Sequence, residues 1–319
     1  MQQYIIKRVL LLIPTLIIVT IIVFAVIRVI PGDPALLVLV GPTGEGTFTE
    51  DQLLEMQQRL GTDKPVVEQY GTWMWGLARG DLGTSIFYER SVLDQLGPTV
   101  PVTLELALVG MFLSFLLAVP LGVLAAVKQD TIFDHIAAVI SFTGIGIPTF
   151  VVGVVVIYLL VTLFGWLPPL GYADLWNDPF KNLQQMIFPA LALAYYNMGF
   201  TTRVTRSSML EVLREDYIRT ARSKGLTEGA VIFLHGFKNA CLPVLTVSGW
   251  QLARLMGGTV IIETIFLVPG MGRLLVESIF QRDYPLIQIE VLVIAALILF
   301  VNLIVDVSYG FLDPKVRYA

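Results

Sequence analysis

Charge is scarce in this chain: Asp, Glu, Lys and Arg make up 14% of its 319 residues, against about 25% in an ordinary soluble domain. With 55% hydrophobic residues and a mean hydropathy of +0.76, the composition excludes a water-exposed globular domain and places the chain in lipid. Cysteine is nearly absent. The single Cys241 excludes an internal disulfide and a cysteine metal cluster, and leaves the redox compartment open. His135 and His235 are the only histidines, and neither has a partner at metal-ligand spacing, whereas a metal site usually needs three or four ligands. Surface or interface roles are expected for both. No G-x-x-x-x-G-K-[ST] loop and no H-E-x-x-H occurs, so no nucleotide-phosphate cradle and no zinc-protease site is available. No catalytic residue, bound metal or nucleic-acid partner is expected. A cleavable signal is missing too: the first apolar run, 9–27, exceeds a usual h-region and "VIRVIPGDPA" offers no small-residue cleavage site, which predicts a retained span.

What the chain does have is long apolar stretches. A bilayer-crossing helix needs about 20 mainly apolar residues. Six segments meet or approach that length, near 9–30, 102–127, 136–164, 184–202, 240–263 and 287–309, predicting an all-α, polytopic membrane protein. The third contains "GIGIP" (Gly144 to Pro148), which predicts a kink. The fourth, "NLQQMIFPALALAYYNMGFTT", is polar for a lipid-facing helix and is expected against protein or beside a path.

Cation placement sets the expected topology. Lys7, Arg8, Lys128, Arg203, Arg206, Arg214, Arg219, Arg222, Lys224, Lys238, Lys315 and Arg317, twelve of the 21 Lys and Arg residues, fall on one side of a six-span chain. Positive-inside bias puts that side, with both termini, in the cytoplasm. The opposite side receives 31–99, with ten acidic and four basic residues. Within it "TEDQLLEMQQRLG" starts at a cap-like Thr49, carries acids in its first turn and stops at Gly61, the pattern of an amphipathic surface helix. "VVEQYGTWMWGLARGDLG" is read as a second, with interfacial aromatics. Three regions result: 1–30, a cytoplasmic start and first span; 31–99, an extracytoplasmic segment; and 100–319, five spans interrupted by a cytoplasmic loop over 203–239.

That loop is helix-prone without being lipid-compatible. In "MLEVLREDYIRTARSKG", Leu210, Leu213, Tyr217, Ile218 and Ala221 recur at helical intervals, with Arg214, Glu215, Arg219 and Arg222 on other faces. Gly225 ends the helix by taking the left-handed conformation, and Thr227 can cap the next. Two short helices at an angle are expected, with small Thr220, Ala221 and Ser223 allowing another surface to approach. A docking element and an interfacial helix at lipid headgroups are both consistent with this pattern.

"RTARSKGLTEGAVIFLHGFKN" resembles the EAA loop of the permease subunits of binding-protein-dependent ABC importers, with Ala221 and Gly225 as literal matches. "YIRTARSKGL" follows the form typical of the dipeptide, oligopeptide and nickel branch. "RVIPGDPA", "GTDKPVVEQY", "GDLGTS", "ETIFLVPGMGRLLVESIFQRDYP" and "VDVSYGFLDPKVR" are similar to hallmarks of that branch, in order along the chain. Arg219 stands where the name-giving Glu would be, and Lys238 where many relatives have Pro. The resemblance implies a type I importer permease fold and a helix before Gly225 that enters a cleft of a cytosolic ATPase. The ATPase-coupling residues it implies are Tyr217, Arg219, Thr220, Ala221, Arg222, Lys224, Gly225 and Leu226. It also implies two such ATPase subunits holding ATP and Mg, a second homologous permease, and an extracytoplasmic binding protein delivering cargo. Di- or oligopeptides are the implied cargo; nickel, glutathione and oligosaccharides are alternatives.

Charges inside spans usually face a cavity or each other. Arg254 near the middle of the fifth span and Glu263 beyond it, with Asn197 and Gln251, are candidates for a translocation path; a structural ion pair and interhelical hydrogen bonds are the plainer readings. Glu105 lies about a turn inside the second span. Glu290 and Asp306, at opposite ends of the sixth, are expected to be exposed at the interface, and Gly257 and Gly258 to be packing points. "FLVPGMGRLLVESIFQRDYP" is expected to dip back and pack over the outer mouth. An autonomous secondary transporter would favour internal repeats and membrane carboxylate clusters, which the sequence lacks.

Overall fold

The computed structural model describes residues 2–29, 33–41, 46–169 and 171–312, without side chains at 2–5 and 308–312. Pro31, Gly32 and the C-terminal cations Lys315 and Arg317 lie outside it. In chain order the helices are α1 (Gln2–Val29), α2 (Pro34–Val40), α3 (Glu50–Leu60), α4 (Val66–Ala78), α5 (Val92–Val127), α6 (Ile132–Gly146), α7 (Thr149–Phe164) and α8 (Pro179–Leu213). There follow α9 (Asp216–Ser223), α10 (Glu228–Ala230), a π-helical stretch Val231–Phe237, α11 (Lys238–Gly258), α12 (Val260–Ile265), α13 (Met271–Gln281) and α14 (Tyr284–Leu312). No strand occurs among the described residues, only an isolated bridge between Thr84 and Ser91.

Among the described residues four helical stretches are long and apolar enough to cross a bilayer, Ile6–Val29, Val92–Val127, Glu228–Gly258 and Tyr284–Val307, and α6 with α7 would make a fifth. The expected kink at "GIGIP" is a full break, bent by 107°: Pro148 supplies no amide hydrogen and forces Ile147 into an extended conformation (ψ 124°). The fourth expected span, within α8, has the length but falls short in apolarity. Its polar residues are spent inside the protein, since Asn182, Gln185, Asn197, Thr201, Thr202 and Thr205 are all buried.

α5 begins ten residues earlier than the apolar run suggests, taking in Pro98 and Pro101. The end of the segment expected over 31–99 is therefore already part of α5. Tertiary burial outweighs the prolines' missing donors: Val92 and Leu96 pack with Met271, Leu274, Leu286 and Ile289, joining α5 to α13 and α14. The outer helices follow their sequence signals. Thr49 accepts from Gln52 N while Gln52 returns a bond to Thr49 N, and Gly61 closes α3 at φ 64°.

The α5–α8 pair is the most extensive helix contact, and small residues allow it. A Cβ on Gly122 would lie 2.6 Å from Thr205 Cβ, so only glycine fits where these backbones cross. The main core gathers Leu106, Met111, Met186 and Leu193 with Leu255, Met256 and Ile262 from α11 and α12. α1 packs on α14 and joins it through Arg8 to Asp306 at 2.9 Å. Asp306 is therefore ion-paired and not simply exposed at an interface. Glu290 departs further from expectation: it is fully buried where α13 folds back against α14.

Candidate functional site

The turn expected on the cytoplasmic side is built from α9 outward. α8 runs on to Leu213, and the chain breaks at Arg214 and Glu215 before α9, so α9 has eight residues and stands apart from α8. Its apolar stripe is reduced to Ile218 and Ala221, which pack against Val231 of the π-helical stretch and Leu213 at the end of α8. Ala221 is thus buried inside its own chain, so of the three small residues expected to meet another surface it alone is turned inward, while Thr220 and Ser223 stay exposed. Tyr217, Arg219, Thr220, Arg222, Lys224, Gly225 and Leu226 are exposed.

Gly225 ends α9 at φ +79°, where its N–H donates to Arg222 O at 2.9 Å and Leu226 N to Ala221 O at 3.4 Å. Both bonds of a Schellman turn are present, and the conformation is one that L side chains resist. Arg222 reaches across the turn to Glu228, Nε to Oε1 at 2.9 Å and Nη2 to Oε2 at 3.4 Å, tying α9 to α10. Arg219 pairs with Asp216 at 3.4 Å. Thr227 occupies the cap position of α10 without a side-chain bond. The π-helical stretch behind the turn rests on α8, with Gly236 close to Leu213 and Met209, and Asn239 Nδ2 donates to Tyr217 Oη at 2.8 Å. Beside it, Arg206 of α8 grips Asp134 at the start of α6 with two bonds of 2.6 and 2.7 Å. Nothing in the sequence spacing pairs these residues, which are 72 positions apart.

The four path candidates divide. Gln251 donates to Asn197 O at 3.2 Å and accepts from Thr201 at 2.9 Å, and Asn197 donates to Leu193 O. Asn197 and Gln251 are both buried, fastening α8 to α11 away from any surface. Glu263 is also fully buried. It accepts from Thr103 Oγ1 at 2.8 Å and from Arg273 N at 3.1 Å, while Met271 N donates to Thr103 Oγ1 at 2.8 Å. The carboxylate therefore satisfies the amide end of α13, directly and through Thr103, and holds α13 onto α5. Arg254 is exposed, and its guanidinium bonds Tyr196 Oη at 2.6 Å. It takes no part in an ion pair with Glu263.

Asp283 joins two motifs that are nearly 200 residues apart. Ser85 Oγ donates to it, as do Ile86 N at 3.3 Å and Phe87 N at 3.2 Å, so "GDLGTS" is fastened to "QRDYP". Glu105 accepts from Tyr172 Oη at 2.7 Å, anchoring the loop between α7 and α8. Burial and the Glu105 carboxylate push the Tyr172 phenol above its ordinary range. Neither anchor was legible in sequence, although the motifs that supply Ser85 and Asp283 were.

Residues 118–318 match the family described as binding-protein-dependent transport system inner membrane component, and residues 1–107 match the N-terminal region of such components. The chain belongs to this family. It is a transmembrane permease of an ABC importer, and among its relatives is the dipeptide transport system permease protein of Escherichia coli K12. That protein is 38% identical over 341 residues, covering 100% of this chain and 99% of the relative. A Brucella abortus protein, provisionally named as a peptide transport system permease, is 40% identical over 318 residues and covers all of both chains. A crystal structure of an amino acid ABC transporter with histidines superposes with a TM-score of 0.51 at 16% identity, over 67% of this chain and 92% of the other. At that identity the likeness concerns the fold alone.

Proposed function

We propose that this permease moves di- or oligopeptides inward, pairing with a second, similar permease, receiving cargo from an extracytoplasmic binding protein and drawing on two cytosolic ATPases that hold ATP and Mg. The observation that carries the coupling role is the isolated eight-residue α9, buried on one side by Ile218 and Ala221 and exposed on the other through Tyr217, Arg219, Thr220 and Lys224. Such an element is rigidly seated on α8 and the π-helical stretch yet presents a polar face, so a push on it reaches the spans through Leu213 and Val231. The buried Ala221 acts as the bearing of this lever and the exposed residues as its handle. Gly225 fixes the exit of the chain. Both termini lie in the cytoplasm, in keeping with the cation distribution.

Peptide cargo rests on the names of the curated relatives. Uptake of labelled dipeptides by the reconstituted importer, set against nickel, glutathione and a neutral oligosaccharide, tests it. ATP-dependent uptake of peptide is expected; uptake of one of the others alone would replace the substrate. Transport by this chain in liposomes without ATPases would replace the importer reading with that of a secondary transporter.

A further inference from the structure

Resting on the peptide-importer reading, we propose that Arg254 and the aromatic shelf around it form a subsite for the free carboxylate of the peptide in transit. The shelf lies on the seam of α8 and α11. Tyr196 and Phe200 are one helical turn apart on α8, and Trp250 and Arg254 one turn apart on α11, so each pair shares a face. The guanidinium carbon stands 4.7 Å from the Tyr196 ring centroid and 5.7 Å from that of Trp250. Phe200 meets Trp250 at 6.5 Å.

Three features of this arrangement call for an anionic ligand. Arg254 lies inside a stretch apolar enough to cross the bilayer, 228–258, where a charge turned to lipid is costly and charged side chains face water or a partner. No carboxylate of the described residues ion-pairs with it. One Nη1 hydrogen is spent on Tyr196 Oη, which orients the planar group and leaves Nη2 and Nε for the two-point grip that guanidinium makes with carboxylate. Gln251 and Leu255, one turn apart on the flank beside Arg254, are buried, Gln251 against α8, whereas Trp250 and Arg254 are exposed. Arg254 and Trp250 therefore belong to the open face.

A peptide of any sequence carries one terminal carboxylate, so a carboxylate subsite is compatible with broad side-chain tolerance, and the flat rings offer apolar area for whatever side chain lies next to it. A bare divalent cation would be repelled, and a neutral sugar would leave the charge unpaired.

The test uses the assembled importer carrying Phe200→Cys and Cys241→Ser in this chain, with the labelling rate by a water-soluble maleimide read by mass spectrometry. Excess dipeptide is compared with the same dipeptide amidated at its C-terminus. A charge-assisted bond of this kind corresponds to about tenfold in affinity, so the free acid is expected to slow labelling at a concentration where the amide does not. Arg254→Gln should abolish that difference and Arg254→Lys, a point charge without the fork, should shrink it. Equal protection by acid and amide, protection by neither, or acid-selective protection that persists in R254Q would overturn the subsite. If R254Q fails to assemble, R254K decides: an unchanged acid preference overturns the proposal. Wild-type importer that takes up no peptide would overturn the underlying reading instead, so the two failures are distinguishable.

Discussion

Replacing Gly225 perturbs the lever at one backbone torsion while leaving every side-chain contact in place. A Cβ at this position meets nothing within 4 Å, so Gly225→Ala creates no clash with its surroundings. The penalty is confined to φ +79°, which for an L residue costs about 1–2 kcal/mol. That is a shift of roughly tenfold in the balance between the Schellman turn and alternatives in which α9 frays or runs on. Losing the turn also loses the Leu226-to-Ala221 bond and moves Glu228 relative to Arg222. Asn tolerates the left-handed region and should cost less, whereas β-branched Val should cost more. In the reconstituted importer, the peptide moved per ATP hydrolysed should fall in the order Gly, Asn, Ala, Val, with membrane insertion unchanged. Unchanged coupling in both G225A and G225V would refute the reasoning, as would equal losses in all three variants.

Other perturbations follow from the same contacts. Ala221→Leu should push α9 off Val231 and Leu213 at about 1–3 kcal/mol of overpacking and uncouple transport, whereas Thr220→Leu on the exposed face should leave the isolated permease's thermal stability unchanged. Asp283→Ala, which orphans Ser85 Oγ and the amides of Ile86, Phe87 and Leu286, should destabilise by about 2–3 kcal/mol and expose the Gly83–Tyr88 segment to limited proteolysis, with Ser85→Ala milder. Arg206→Ala strands the buried Asp134 carboxylate at about 3 kcal/mol, and adding Asp134→Asn should restore part of the loss, read by thermal unfolding in detergent. The raised Tyr172 pKa means that the folded state favours the neutral phenol, so its bond to Glu105 contributes below the ordinary tyrosine range and fades only as pH rises beyond it. Tyr172→Phe should loosen the α7–α8 loop at neutral pH, seen as faster amide exchange.

Apolar run length was enough for four spans and, with α6 and α7 taken as one broken span, a fifth among the described residues, because burial in lipid demands it whatever the partner helices do; it did not establish the expected fourth, which is too polar. It failed at boundaries where packing overrules composition: α5 continues through Pro98 and Pro101 because Val92 and Leu96 have a core to enter, and α8 reaches Leu213 because its polar face is covered by α5 and α11. Local chemistry was legible where it is local, as at Thr49, Gly61 and Gly225, whose roles depend on backbone geometry within a few residues. The pairings that position the candidate sites are long-range. Arg206 with Asp134, Thr103 with Glu263, and Ser85 with Asp283 could not be read from spacing, and neither could the inward turn of Ala221, which depends on the π-helical stretch that follows it. Arg254 was legible as a suspicious charge, but Tyr196 and Phe200 of its aromatic shelf come from a different helix.

The most direct measurement on the central claim is site-specific crosslinking from position 220 in a Thr220→Cys, Cys241→Ser chain within the assembled importer. The lever account predicts bonds to an ATPase subunit whose yield changes between nucleotide-free and ATP-bound states. Labelling of the introduced thiol by an impermeant reagent from outside the cell, or crosslinks to lipid with no ATPase partner in either state, would contradict it.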